Sequence, residues 1–155
     1  MGSVLTIRRA LPSDATALLA LLHELGYVEL DGDAHARTFA LTLAHPEIRV
    51  LVAEDESRRV VGLLALSHRP QLRLAGTLVT VDELVVAQDA RGSGVGRALI
   101  DHARSVAAEL GAKRLELQTN RTRESYARGF YTKSGFTEVN SAVMRLKSLV
   151  PPSGK

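Results

Sequence analysis

The chain has 155 residues, 45% of them hydrophobic and 24% charged, with a net charge of +3, which is the make-up of one soluble globular domain large enough to bury a core. Its basic residues are scattered among acids rather than gathered on one stripe, an arrangement that speaks against nucleic acid as a partner. There is no cysteine, which excludes disulfides, thiolate metal ligands and a cysteine nucleophile. No apolar run has the length of a bilayer span or a leader, so a cytoplasmic location is expected.

In chain order, Val4 to Ile7 reads as a strand, and Pro12-Ser13-Asp14 signals a helix start. Leu18, Leu21, Leu22 and Leu25 share one face of that helix, Gly26 stops it, and Tyr27 to Gly32 is a loop. A second helix, Asp33 to Ala44, presents Phe39 and Leu43 and ends at His45-Pro46. Arg49 to Glu54 and Val60 to Leu66 read as a hairpin joined through Asp55 to Arg59, and Gln71 to Gly76 is a connection. A strand from near Thr77 to Val86 leads into Arg91-Gly92-Ser93-Gly94-Val95-Gly96. Leu99, Ile100, Ala103, Val106, Ala107 and Leu110 then recur at helical spacing until Gly111. Arg114 to Gln118 is a short strand, Ser125 to Ser134 a helix capped by Gly135, and Phe136 to Val139 and Ala142 to Leu146 two last strands. One domain over residues 1–147 with a loose tail over 148–155 is expected. The order of elements predicts an α+β, three-layer domain around one mixed sheet.

The segment from Val81 to Leu110 is strand, glycine loop, helix. The first amides of a helix have no intrahelical partner and carry the positive end of its dipole. Glycines let an anion approach the backbone and permit positive φ, so this is a phosphate site in the making, with Arg91 and Arg97 adding charge. It is no P-loop, because the segment has no lysine. It is no dinucleotide fingerprint either: Gly92 and Gly94 are followed by Arg97, and Gly94 and Gly96 by Leu99, where a third glycine belongs.

Arg-x-x-Gly-x-Gly, carried by Arg91, Gly94 and Gly96 between a Leu-Val-Val strand and an amphipathic helix, resembles the acyl-CoA-binding signature of the GNAT superfamily, the Gcn5-related N-acetyltransferases. A second block, Ala127-Arg128-Gly129-Phe130-Tyr131-Thr132-Lys133-Ser134-Gly135-Phe136, is similar to that family's Ala-x-x-Phe-Tyr-x-x-x-Gly-Phe segment at the family's spacing. The resemblance implies the acyl-CoA N-acyltransferase fold, with a mixed, mostly antiparallel sheet flanked by helices, and acetyl-CoA as acyl donor. It places the pantetheine arm along the backbone of Leu84, Val85 and Val86, with the N–H of Val85 or Val86 as oxyanion donor. The pyrophosphate falls on Arg91, Gly92, Ser93, Gly94, Val95, Gly96 and Arg97, with further cofactor contacts at Asn120 and Ser125. Many members carry an asparagine seven residues before the tyrosine, where this chain has Glu124.

Transfer from a thioester to an amine needs a neutral amine, an oxyanion donor and a proton for the departing thiolate. By resemblance Glu83 is the base and Tyr131 the acid. Strict alternation along the strand sends Asp82 and Glu83 to opposite faces. The histidines, His23, His35, His45, His68 and His102, show no metal spacing, and no metal is assigned.

The family places its first two helices on the acceptor side. Glu24, Glu29, Asp31 and Asp33 would there form a negative rim suited to a cationic amine. Leu25-Gly26-Tyr27 and the arginines before Phe130 resemble the small-amine and aminoglycoside-type members. The expected activity is therefore acetyl transfer to a small primary amine by direct attack in a ternary complex. A silent acyl-CoA-binding module, or a transferase acting on protein or aminoacyl-tRNA, is the alternative. Homodimers are common in the family.

Overall fold

The computed structural model describes residues 4–27 and 31–150. Five strands form one sheet in sequence order: β1 (Thr6–Arg9), β2 (Ile48–Glu54), β3 (Val60–Gln71), β4 (Gly76–Val86) and β5 (Arg114–Leu117). β1 to β4 pair antiparallel and β5 joins β4 in parallel. The helices are α1 (Ala15–Glu24), α2 (Gly32–Ala44), α3 (Val95–Glu109), and two single turns, α4 (Glu124–Ala127) and α5 (Phe130–Lys133).

Helices cover both faces of the sheet, which is why β2 and β3 read as continuous apolar runs rather than alternating ones. Gly62 on β3 faces α3, where an added Cβ would lie 3.0 Å from both Val95 and Leu99. Arg49, on that same face of β2, pairs with Glu109 of α3 at 3.1 Å. α1 and α2 cover the opposite face, burying Leu18, Leu21 and Phe39. Leu99, Ile100 and Ala103 of α3 have no exposed surface, as their helical spacing requires.

One ion pair ties the first strand to the first helix. Asp14, only 6% exposed, accepts two hydrogen bonds from Arg8, Nη1 to Oδ2 at 2.8 Å and Nη2 to Oδ1 at 3.0 Å, and one from the Leu11 amide at 2.7 Å. The Arg8 Nε also donates to Glu54 on β2 at 2.7 Å. These bonds to the ionised form, above all those from Arg8, hold the Asp14 carboxyl below its ordinary range. Asp14→Ala should therefore lower unfolding free energy by about 1–3 kcal/mol, because it leaves the half-buried Arg8 guanidinium with Glu54 alone and orphans the Leu11 amide. In urea melts the stabilisation from Asp14 should be complete above its unfolded-state pKa and fade as pH falls through the lower folded-state value. A variant with the wild-type midpoint would show the pair to be idle.

Three differences from the sequence reading have physical causes. The expected helix over Ser125 to Ser134 is two turns broken at Gly129, whose φ of 67° is left-handed. Phe136 to Val150 form neither helix nor strand, so the two expected final strands are absent. Apolar alternation favours a strand only where a neighbour takes its hydrogen bonds; here Val139, Val143, Met144 and Leu146 are all more than half exposed. Third, β3 runs five residues beyond the expected Leu66, to Gln71, because its pairing with β4 persists to Gly76. Residues 28–30 of the expected loop, including Glu29, and residues 151–155 of the expected tail lie outside the described residues.

Candidate active site

The site grows from one irregularity in β4. From Gln71↔Gly76 to Leu66↔Val81 the β3·β4 register is regular, and from Ala65↔Glu83 to Gly62↔Val86 it is regular again, with Asp82 as the surplus residue. A bulge of this kind re-aims side chains and bends the strand. β5 pairs with β4 only from Leu78 to Val81, so the ladder on that side stops where the bulge begins. Beyond it, Glu83 to Val86 present an edge that no described strand covers.

Ala87 donates its amide to the Val61 carbonyl at 2.8 Å, toward β3. Hydrogen-bonding direction alternates along a strand, so Val85 turns toward β3 as well, while Leu84 and Val86 turn to the open edge. The outward Val86 carbonyl accepts the Arg91 Nε at 3.2 Å. Of the two amides considered as oxyanion donors, Val86 is the one on the open side.

The bulge also overturns the expectation that Asp82 and Glu83 face opposite ways. Glu83 lies opposite Ala65, on the face that Ser67 shares, and Asp82 sits against the Ser67 hydroxyl. The two carboxyls are thus neighbours on the α1/α2 face. Burial pushes Glu83 above its ordinary value, the Asp82 charge adds to the rise, and the Arg123 charge opposes it.

Behind the open edge stands the glycine loop. Gly92 and Gly94 have φ of 77° and 92°, and a Cβ on either would meet nothing within 4 Å; conformation demands glycine there, and the approach stays open. Gly94 caps α3 without a side chain, and no acid occupies the first turn. The leading amides of this 15-residue helix therefore keep their positive end. Arg91 and Arg97 flank it, Arg97 lying 3.4 Å from Asp101 one turn later. The Ser93 hydroxyl donates back to the Ala90 carbonyl. This donor set fits a pyrophosphate: backbone N–H groups, two guanidiniums and no carboxylate in the first turn.

Gly96 is different, since its φ is ordinary. A Cβ there would lie 3.0 Å from Cζ of Phe130. The ring of the second motif thus rests on the helix start of the first, and Arg128 lies over the same ring at 5.9 Å. Next to Phe130, Tyr131 packs edge-on at 5.1 Å, and edge-on to Phe136 at 6.3 Å. Burial raises the Tyr131 phenol above its ordinary value, while the Thr119 and Ser125 hydroxyls and the Arg123 charge pull it back. Ser125 therefore lies beside the Tyr131 phenol. Asn120 turns its carbonyl oxygen to the Thr122 amide and hydroxyl, at 2.9 and 2.8 Å, in a local turn.

Two members of the acidic rim are used internally. Glu24 accepts the Gln88 amide at 2.8 Å, fastening α1 to the end of β4, and Asp31 caps α2 through the Asp33 amide at 2.9 Å. Thr119 went unnoticed in the sequence, and Arg123 was read only as one of the arginines before Phe130. Their signal was only their position, in the turn just before the second motif, a stretch that tends to carry function.

A model of the acetyltransferase (GNAT) family matches residues 16–136. An aminoalkylphosphonate N-acetyltransferase of Salmonella typhimurium is 33% identical over 135 residues, 87% of this chain and 86% of that protein. The peptidyl-lysine N-acetyltransferase YjaB of Escherichia coli is 37% identical over 91 residues, 59% of this chain and 51% of that one. Among solved structures, a protein named "putative acetyltransferase" from Agrobacterium tumefaciens superposes with a TM-score of 0.81 at 28% identity, covering 92% of this chain and 99% of that one. With the open β4 edge, the glycine loop and the Phe-Tyr turn in their places, the chain belongs to the GNAT family and is an N-acetyltransferase.

Proposed function

We propose that the protein transfers the acetyl group of acetyl-CoA to the primary amine of a small molecule, by direct attack within a ternary complex. The observation that carries this reading is the early end of the β4·β5 ladder, which leaves the edge of β4 from Glu83 to Val86 open just before the glycine loop and the start of α3. The two relatives described above are named for acceptors that carry an amino group, and the one named for a small molecule aligns over more of this chain.

Acetyl-CoA supplies an acyl group activated as a thioester. The residues of this chain divide the remaining work. Leu84 and Val86 offer backbone hydrogen bonds to an extended arm, and the Val86 amide donates to an oxygen gaining negative charge. Arg91, Arg97 and the amides from Gly92 to Arg97 hold phosphate. The Glu83 carboxylate receives a proton from the incoming ammonium, directly or through water, and the Tyr131 O–H gives one to the departing sulfur. With no cysteine in the chain, no thiol intermediate on the enzyme enters.

The test is release of free thiol from acetyl-CoA, read with a thiol reagent against polyamines, aminoglycosides, amino acids, aminoalkylphosphonates and lysine peptides. The protein itself contributes no thiol background. Release confined to one class of small amine is expected; release only with peptides would replace the small-molecule reading, and none with any amine would remove it.

A pH dependence follows from the carboxyl pair. Glu83 accepts a proton only when ionised, so kcat/KM should fall as pH drops through its raised pKa, placing the acid limb above the ordinary carboxylate range. Removing the Asp82 charge lowers that pKa, so Asp82→Asn should move the limb to lower pH and Glu83→Gln should abolish it. A limb unmoved in both variants would assign it to another group.

A further inference from the structure

Arg123 stands at the turn between β5 and α4. Its amide donates to the Asn120 carbonyl at 3.0 Å, and its own carbonyl accepts the amides of Tyr126 and Ala127, both at 3.1 Å. The backbone is therefore fixed from both sides. The side chain leaves this turn and crosses to Tyr27, just past the end of α1: Nη2 donates to the Tyr27 hydroxyl at 3.3 Å, and Cζ lies 5.8 Å from the ring centroid. Its charge reaches both the Glu83 carboxyl and the Tyr131 phenol.

That placement sets Arg123 apart from the arginines that are held in ion pairs. Arg8, Arg59 and Arg121 are each tied to carboxylates, whereas among the described residues Arg123 makes its contact with a neutral phenol. A guanidinium has five N–H donors in a planar fork suited to two oxygens of one anion. The Tyr27 hydroxyl takes one of them, and the guanidinium carbon lies within cation–π reach of the ring.

The charges select among acceptors. Asp82 and Glu83 draw a protonated amine toward the open edge of β4. Arg123 repels that same ammonium. A plain alkylamine gains from one group and loses to the other, while an amine with its own anionic end gains from both, one charge at each. The expected negative rim gives no such balance, and two of its members, Glu24 and Asp31, are engaged in internal bonds.

We infer that Arg123, oriented by Tyr27, is the anion-binding half of the acceptor site, and that the acceptor is a short aliphatic amine carrying a phosphonate or carboxylate at its other end. This assignment rests on the acetyl-transfer reading and narrows it.

The experiment compares aminoethylphosphonate, β-alanine and propylamine as acceptors for the full chain, with thiol release as readout, in wild type, Arg123→Gln, Arg123→Lys and Tyr27→Phe. Wild type should prefer the two anionic amines over propylamine. Arg123→Gln should raise KM for the anionic amines about 30-fold or more, and so abolish most of their advantage over propylamine. Lysine at 123 should restore part of the loss, and Tyr27→Phe should cost about three- to fivefold in KM. If propylamine is as good a substrate as the anionic amines, or if Arg123→Gln costs the same factor with all three, the anion site is overturned while acetyl transfer stands. If no amine releases thiol although acetyl-CoA binds, the transfer reading itself falls, and this inference with it.

Discussion

Tyr131→Phe should lower kcat about a hundredfold while KM for acetyl-CoA stays within about threefold. The ring is held by Phe130 and Phe136, both edge-on, and phenylalanine keeps those contacts. Only the hydroxyl is lost, so fold and cofactor affinity should survive. Burial favours the neutral phenol, which keeps the proton in place at physiological pH, ready for a sulfur that becomes basic only as its bond breaks. The sign of the change separates roles: a structural tyrosine would lose stability with little change in kcat, and an acid would lose kcat with little change in the urea midpoint. An unchanged kcat would remove Tyr131 from the chemistry.

Arg91→Glu should weaken coenzyme A binding at least 30-fold, about 2 kcal/mol, measured by calorimetry. Two losses combine there. A cation beside the α3 helix start becomes an anion facing the same phosphates, and the bond from Arg91 Nε to the Val86 carbonyl disappears, which loosens the loop against the strand edge. Arg91→Gln separates them: if charge dominates, the neutral variant should lose only part of the affinity, and its remaining binding should depend less steeply on salt than that of wild type. Equal affinity in wild type and Arg91→Glu would remove the phosphate loop from the account.

The segment from β4 to α3 was legible because its constraints are local. Positive φ at Gly92 and Gly94, and the apolar spacing of Leu99, Ile100, Ala103 and Val106, depend on neighbours a few residues away. The bulge at Asp82 was not, since a surplus residue exists only relative to a partner strand, and nothing in Val-Asp-Glu-Leu says how Ala65 and Leu66 will pair with it. Arg123 was hidden for the same reason: its meaning arises where it meets Tyr27, a residue 96 positions away. The break at Gly129 could have been read, because a glycine inside a ten-residue helical pattern is itself a warning. The final strands could not be judged without knowing whether a neighbour was there to receive them.

The contact between Gly96 and Phe130 ties the histories of two distant stretches together. A side chain gained at position 96 displaces the ring at 130, and the ring's neighbour in sequence is the tyrosine at 131. Alanine at 96 asks the ring at 130 to give by a few tenths of an ångström, and that shift passes to the phenol beside it. The glycine loop and the Phe-Tyr turn thus share one ring, and a change made at the first is felt at the second.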